Sequence, residues 1–163
     1  MGNARTSRLR NSALLVVFIH AVLAAGVAGA QMARLEFDDG RPPARVETRR
    51  HGDEMYFLLA DLAPAVDGIR YWNDTSAKVT LSVGDRAITM SRGSRFAVME
   101  RAVHNLRAPV DYLNGEFWVP LGMLVGPLAE ALNARVEWDP RERIATVTAL
   151  KPAVHSLLLR ETG

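Results

Sequence analysis

The chain has 163 residues, of which 48% are hydrophobic and 23% are charged, and it contains no cysteine. That length suits one domain with a hydrophobic core, and the apolar fraction is too high for a disordered chain. The absence of cysteine excludes a disulfide scaffold, a thiolate zinc site and a cysteine nucleophile. Arg5, Arg8 and Arg10 supply three of the 20 basic residues. Without them, 17 basic residues remain against 18 acidic ones, which is a net charge of −1. The charge balance therefore predicts no nucleic-acid partner.

The first 30 residues have the three-part layout of a secretory signal peptide. Residues 1–12 are polar and cationic, and residues 13–25 are apolar apart from His20. Ala28 and Ala30 are the small residues that a signal peptidase requires, which makes Gln31 the first mature residue. We expect an exported protein of the periplasm, the cell envelope or the extracellular space. An uncleaved membrane anchor is the alternative, and only in that case is the membrane a partner.

The rest of the chain divides into three parts. Residues 31–44 contain Asp38-Asp39-Gly40 and Pro42-Pro43, and we predict an extended linker there. Residues 45–150 are predicted to form the domain. Residues 151–163 form a C-terminal tail, whose apolar part is either the first strand of a following domain or an extra edge strand.

The first half of the domain begins with a predicted hairpin, residues 44–47 and 54–57, around a polar turn. Leu59, Leu62, Ala63 and Val66 have helical spacing, and Asp67-Gly68 ends that helix. Three short strands are predicted next, at residues 69–72, 78–83 and 86–91.

The second half repeats this order. A strand at 117–119 precedes a helical stripe that begins at Leu121 and is interrupted by Gly126-Pro127. Strands at 135–138 and 143–150 follow. A strand, helix, strand, strand unit that occurs twice predicts an internal duplication, in which both halves share one sheet and one core.

Several segments of the second half resemble the repeat of the copper amine oxidase N-terminal-like domain. They are Gly115-Glu116-Phe117-Trp118-Val119-Pro120-Leu121, Arg135-Val136-Glu137-Trp138-Asp139 and Ile144-Ala145-Thr146-Val147, together with the stretches at 88–94 and 106–109. The resemblance covers residues 45–150. It implies an α+β fold with a duplicated unit, in which an antiparallel curled sheet packs on short helices. It also implies a stalk-type module, separate from the catalytic domain, which carries neither copper ligands nor the tyrosine-derived quinone. Similar modules occur in bacterial cell-wall amidases and other exported proteins.

The residues with reactive side chains do not form a recognisable motif. His51, His104 and His155 are far apart, and the sequence His51-Gly52-Asp53-Glu54 is typical of a solvated turn. Ser94 lacks the surroundings of a nucleophile, and the acidic pairs Asp38-Asp39 and Asp53-Glu54 lie in turn-rich segments. We therefore predict no catalytic residue, no metal site and no cofactor.

Aromatic side chains are the remaining candidates for ligand binding. Tyr56, Trp72 and Trp118, with Trp138, are candidates for a sugar-stacking surface, although their positions in the repeat favour packing in the core. We expect a non-catalytic, exported envelope module that binds or positions peptidoglycan or an envelope protein. The alternative is the N-terminal accessory part of an N-acetylmuramoyl-L-alanine amidase whose catalytic domain is missing from this chain. A purely structural stalk or dimerisation domain is a third interpretation.

Overall fold

A computed structural model describes residues 31–150 of the chain. The predicted signal peptide, with its cleavage residues Ala28 and Ala30, and the predicted tail at 151–163 lie outside the described residues. The strands are β1 Gln31–Phe37, β2 Ala44–His51, β3 Glu54–Leu58, β4 Ile69–Asn73, β5 Lys78–Val83, β6 Arg86–Ser91, β7 Phe96–Met99, β8 Ala102–Asn105, β9 Asp111–Leu113, β10 Glu116–Pro120, β11 Ala134–Asp139 and β12 Ile144–Ala149. The helices are α1 Leu59–Ala65, α2 Leu121–Met123 and α3 Ala129–Ala131, and a π-helical turn, Leu124–Leu128, joins the last two.

The strands form two sheets. The seven-stranded sheet has the order β11-β12-β1-β2-β3-β10-β9, and the five-stranded sheet has the order β4-β5-β6-β7-β8. Among the described strands, β1 and β12 pair in parallel and the other neighbours are antiparallel. Antiparallel sheets with a few short helices confirm the α+β class.

The prediction of one shared sheet was wrong. The hairpin β4–β5 of the first half belongs to the five-stranded sheet, whereas its counterpart β11–β12 belongs to the seven-stranded sheet. An alternating pattern specifies which face of a strand is buried, but it does not specify the neighbouring strand. The strands β3 and β10, which precede the two helical regions, do pair with each other. The internal duplication itself stays a prediction.

The segment predicted as a linker is instead an interior strand. β1 lies between β12 and β2, and Ala33 and Leu35 are each 1% exposed. Their alternation is weak in the sequence, and the parallel partner β12 comes from the opposite end of the domain, so nothing local reveals the pairing. The prediction of an extended linker at residues 31–44 was therefore wrong for Gln31–Phe37, which form a strand of the domain.

Two hairpins have the same turn chemistry. Gly52-Asp53 joins β2 to β3 and Gly84-Asp85 joins β5 to β6, and the two glycines have φ values of 60° and 58°. A glycine with positive φ at the first central position is typical of a type II′ turn, whose twist suits a two-residue hairpin. Both hairpins were predicted. By contrast, no strand was predicted at β7, β8 or β9, which are only three or four residues long.

One hydrophobic core lies between the sheets, as predicted. α1 buries Leu59, Leu62 and Ala63 and contacts β2 and β10 of one sheet and β4 of the other. The second helical region breaks where it was predicted to break, because Gly126 has the non-helical angles φ −106° and ψ −106° and precedes Pro127. No helix of the described chain has both the length and the apolar character needed to cross a membrane.

Candidate binding groove

The aromatic residues singled out in the sequence do not form one surface, and Trp138 packs edge-on against Phe57. Tyr56 and Trp118 project from the same side of the β3–β10 pair, and they are 3% and 8% exposed. Trp72 is half-buried, with its ring stacked on Tyr112 at 5.6 Å between centroids and 4.6 Å from Phe117. Tyr56 and Trp118 are therefore packed side chains and do not form an open surface on which a sugar could stack.

Arg49 contacts both Tyr56 and Trp118 on their side of the sheet. Its guanidinium carbon lies 4.9 Å from the centroid of Trp118 and 5.4 Å from that of Tyr56, within the range of cation–π attraction. The same guanidinium donates a hydrogen bond to Oδ2 of Asp111 on β9. Arg49 thereby fixes the Asp111 carboxylate beside Tyr56. Sequence reasoning missed this pair, because its contact depends on the register of four strands.

A groove of about 540 Å³ opens next to this cluster. One wall is the β2–β3 turn, residues 51–54, and the other is formed by Gly93 and residues 108–111, with Tyr56 also lining the space. Nδ1 of His51 lies 4.0 Å from Oδ2 of Asp111, and the imidazole is largely exposed. The turn at residues 51–54, which we interpreted from the sequence as solvated, thus forms one wall of this groove. We call it the His51 groove.

The surroundings of the Tyr56 phenol favour its neutral form. Burial, followed by the negative charges of Asp111 and Glu54, raises the pKa of Tyr56 above its ordinary value. The shift favours the protonated hydroxyl, which can donate a hydrogen bond. Oε1 of Glu54 accepts a hydrogen bond from the backbone N–H of Leu121 at 3.1 Å, so this carboxylate also holds the start of α2.

The other candidate reactive groups have structural contacts. Oδ1 of Asp38 accepts from the backbone N–H of Ala149, and Asp39 pairs with Arg41. The Ser94 hydroxyl accepts from the backbone N–H of Phe96, two residues further along. These are the turn roles that short polar side chains adopt.

The described residues do not fit a copper or zinc site. Between residues 31 and 150, no three histidine, aspartate or glutamate side chains are grouped closely enough to hold a metal ion. His51 belongs to the seven-stranded sheet and His104 to the five-stranded sheet, and His155 lies outside the described residues. The imidazole cluster that copper prefers is therefore not assembled in this part of the chain.

The described residues form an α+β module. A family model, the copper amine oxidase N-terminal domain, matches residues 46–147, and the chain belongs to this family. Neither a curated protein nor a solved structure matches the chain. The family match confirms the resemblance seen in the sequence. It begins within β2, so β1 lies outside the matched range although it is part of the same sheet.

Proposed function

We propose that the chain is an exported, non-catalytic module of the cell envelope that binds peptidoglycan in the His51 groove. The observation that carries this proposal is the groove itself, where ionisable, aromatic and apolar groups converge in a space of about 540 Å³. Such a volume lies within the usual range for small-ligand sites. The signal-like first 30 residues and the non-catalytic family support the same location and role.

The chemistry of the groove suits a disaccharide-peptide fragment. Asp53 and Glu54 line it with carboxylates, which attract the ammonium group of a diamino acid in a stem peptide and accept hydrogen bonds from sugar hydroxyls. Ala108 and Pro109 supply apolar surface that suits the methyl group of an N-acetyl sugar. Because the Asp111 carboxylate is already paired with Arg49, we assign the electrostatic attraction to Asp53 and Glu54.

Co-sedimentation with purified peptidoglycan sacculi tests this proposal. The test variant is Asp53→Ala combined with His51→Ala, because both side chains are largely exposed and their removal leaves the core intact. The matched control is Asp85→Ala, which removes an aspartate from the equivalent Gly-Asp turn at the opposite end of β6 from Gly93. We expect the wild type and the control to pellet equally and the double variant to pellet less. The difference between the double variant and the wild type should grow as the salt concentration is lowered, because salt screens the charges of Asp53 and its ligand.

Two results would overturn the proposal. If the wild-type chain stays in the supernatant with sacculi at low salt, peptidoglycan is not its ligand. If the double variant pellets as well as Asp85→Ala does, the His51 groove is not the binding site.

A further inference from the structure

A second cavity, of about 440 Å³, lies on the other side of the β2–β3 hairpin from the His51 groove. Arg50 and Met55 are strand partners and line this cavity, whereas Tyr56, the next residue along β3, lines the His51 groove. Neighbouring residues of a strand point to opposite sides of a sheet, which places the two cavities on opposite sides of the hairpin. Asp53 and Glu54, at the end of the hairpin, line both. A ligand that crosses the turn therefore contacts both cavities.

The floor of the second cavity is an apolar continuation of the core. Met55, Leu121 and Trp138 line it, and each is a half-buried side chain that packs against the core. The Trp138 ring meets Phe57 edge-on, with 5.3 Å between the ring centroids. An apolar floor with a few polar groups around it is the usual form of a small-ligand site. We call this cavity the Trp138 pocket.

Two arginines bring positive charge to the rim of the Trp138 pocket. Nε of Arg50 donates a hydrogen bond to the carbonyl oxygen of Gly52 at 3.2 Å, which holds its guanidinium over the turn. The carbonyl oxygen of Arg143 accepts from the backbone N–H of Arg34 at 2.9 Å, which anchors the β11–β12 turn to β1. Among the ion pairs within residues 31–150, none includes Arg143. Its charge is therefore available to a ligand.

Opposite charges lie side by side at this rim. Nη2 of Arg50 is 3.8 Å from Oδ1 of Asp53, and the two side chains are 66% and 109% exposed. An ion pair of this length and exposure contributes little to stability, so both groups can exchange each other for groups of a ligand. A ligand that carries an ammonium and a carboxylate on one carbon atom pairs with both at once.

From this arrangement we infer that the Trp138 pocket holds the free end of diaminopimelate in a stem peptide, where one carbon carries both an ammonium and a carboxylate group. The inference rests on the proposed binding of peptidoglycan and names the type of stem peptide. Arg50 and Arg143 donate hydrogen bonds to the carboxylate, and the carboxylates of residues 53–54 accept from the ammonium group. The methylene groups of the diamino acid lie against the apolar floor, and the N-acetyl sugar lies across the turn in the His51 groove.

This pairing distinguishes two kinds of peptidoglycan. Lysine in the same position of the stem peptide has the ammonium group but lacks the carboxylate at its free end. It leaves the guanidinium groups of Arg50 and Arg143 without a ligand partner, so the pocket prefers diaminopimelate.

Isothermal titration calorimetry at low salt, on the chain as recovered after export, tests this preference. The probes are three synthetic N-acetylmuramoyl tripeptides, which end in diaminopimelate, in diaminopimelate amidated at its free-end carboxylate, or in lysine. The amidated probe keeps the size of the first and loses only the charge. We expect the wild type to bind the diaminopimelate probe about tenfold more tightly than either of the others, as the loss of charge-assisted hydrogen bonds implies.

The double variant Arg50→Gln with Arg143→Gln locates the preference. It should bind all three probes within about twofold of one another, because the ligand charge and the protein charges act as one pair. Unchanged binding of the lysine probe shows that the variant is folded. Arg141→Gln is the matched control, since Arg141 is exposed in the same β11–β12 turn and does not line the pocket. It should keep the wild-type preference.

Equal affinity of the wild type for the diaminopimelate probe and its amidated form overturns the inference and leaves the proposed function standing. A double variant that keeps the preference, or that loses the three probes alike, also overturns it, as does an equal loss of preference in Arg141→Gln. If the wild type binds none of the probes, the proposed function fails and the inference fails with it.

Discussion

Single residues in this fold are constrained most tightly where two backbones meet. A Cβ atom added to Gly122 in α2 would lie 2.4 Å from the carbonyl oxygen of Leu106. Real Cβ atoms do not approach a backbone oxygen so closely, and neither backbone moves freely because Leu106 is fully buried. Glycine is therefore required at this position by packing rather than by a turn.

We predict that Gly122→Ala lowers the free energy of unfolding by about 1–3 kcal/mol, since the methyl group must displace backbone. Urea denaturation followed by circular dichroism measures this change. Val125→Ala is the control, because Val125 is 45% exposed in the same helical region. Equal urea midpoints for the two variants would contradict this prediction, because they would show that the backbone at Leu106 shifts to accommodate the methyl group with no loss of stability.

The buried phenol of Tyr56 makes stability depend on pH in the alkaline range. Its pKa is raised in the folded state by burial and by Asp111 and Glu54, so the folded chain keeps the proton to a higher pH than the unfolded chain does. The stability that this difference contributes is present below about pH 10 and is lost as the pH rises through the folded-state pKa.

We expect the unfolding free energy of the wild type to fall above about pH 10, and that of Tyr56→Phe to fall less steeply. Denaturation at a series of pH values measures both slopes. Tyr71→Phe is the control, because Tyr71 is 65% exposed. The same slope for Tyr56→Phe and the wild type would contradict the assignment of a raised pKa to Tyr56.

At the scale of the secondary-structure elements, the sequence was informative wherever neighbours in space are neighbours in the chain. The hairpins β2–β3, β5–β6 and β11–β12 were predicted from alternation and turn residues, and α1 from its apolar stripe. β1 was not predicted, because its position depends on a parallel partner from the far end of the domain. The His51 groove was missed for the same reason. Its two walls are separated in sequence and meet only through the pairing of β3, β10 and β9.

The interior position of β1 leads to a prediction on two residues of one strand. Leu35 is 1% exposed and Met32 is 45% exposed. Leu35→Ala should lower the unfolding free energy by about 2–5 kcal/mol, whereas Met32→Ala should cost less than about 1 kcal/mol. Thermal or urea denaturation distinguishes them. Equal small effects would mean that Gln31–Phe37 behaves as the linker that the sequence suggested.

At the scale of the whole molecule, the domain is larger than the family match. The matched residues 46–147 omit β1, yet β1 joins β2 to β12 within the seven-stranded sheet. Cleavage after Ala30, as the sequence predicts, leaves β1 whole at the mature N-terminus. N-terminal sequencing of exported protein should therefore begin at Gln31, and recovery of an intact Met1 in the membrane fraction would contradict cleavage.

The most direct test of the proposed role is nuclear magnetic resonance titration of the isotopically labelled chain with soluble muropeptides. Binding in the His51 groove predicts that the amide signals of residues 51–56, Ala108, Val110 and Asp111 shift with increasing ligand, while those of the Gly84-Asp85 turn stay in place. Muropeptide additions that leave the signals of residues 51–56, Ala108, Val110 and Asp111 unshifted, or that shift only signals elsewhere in the chain, would contradict the account.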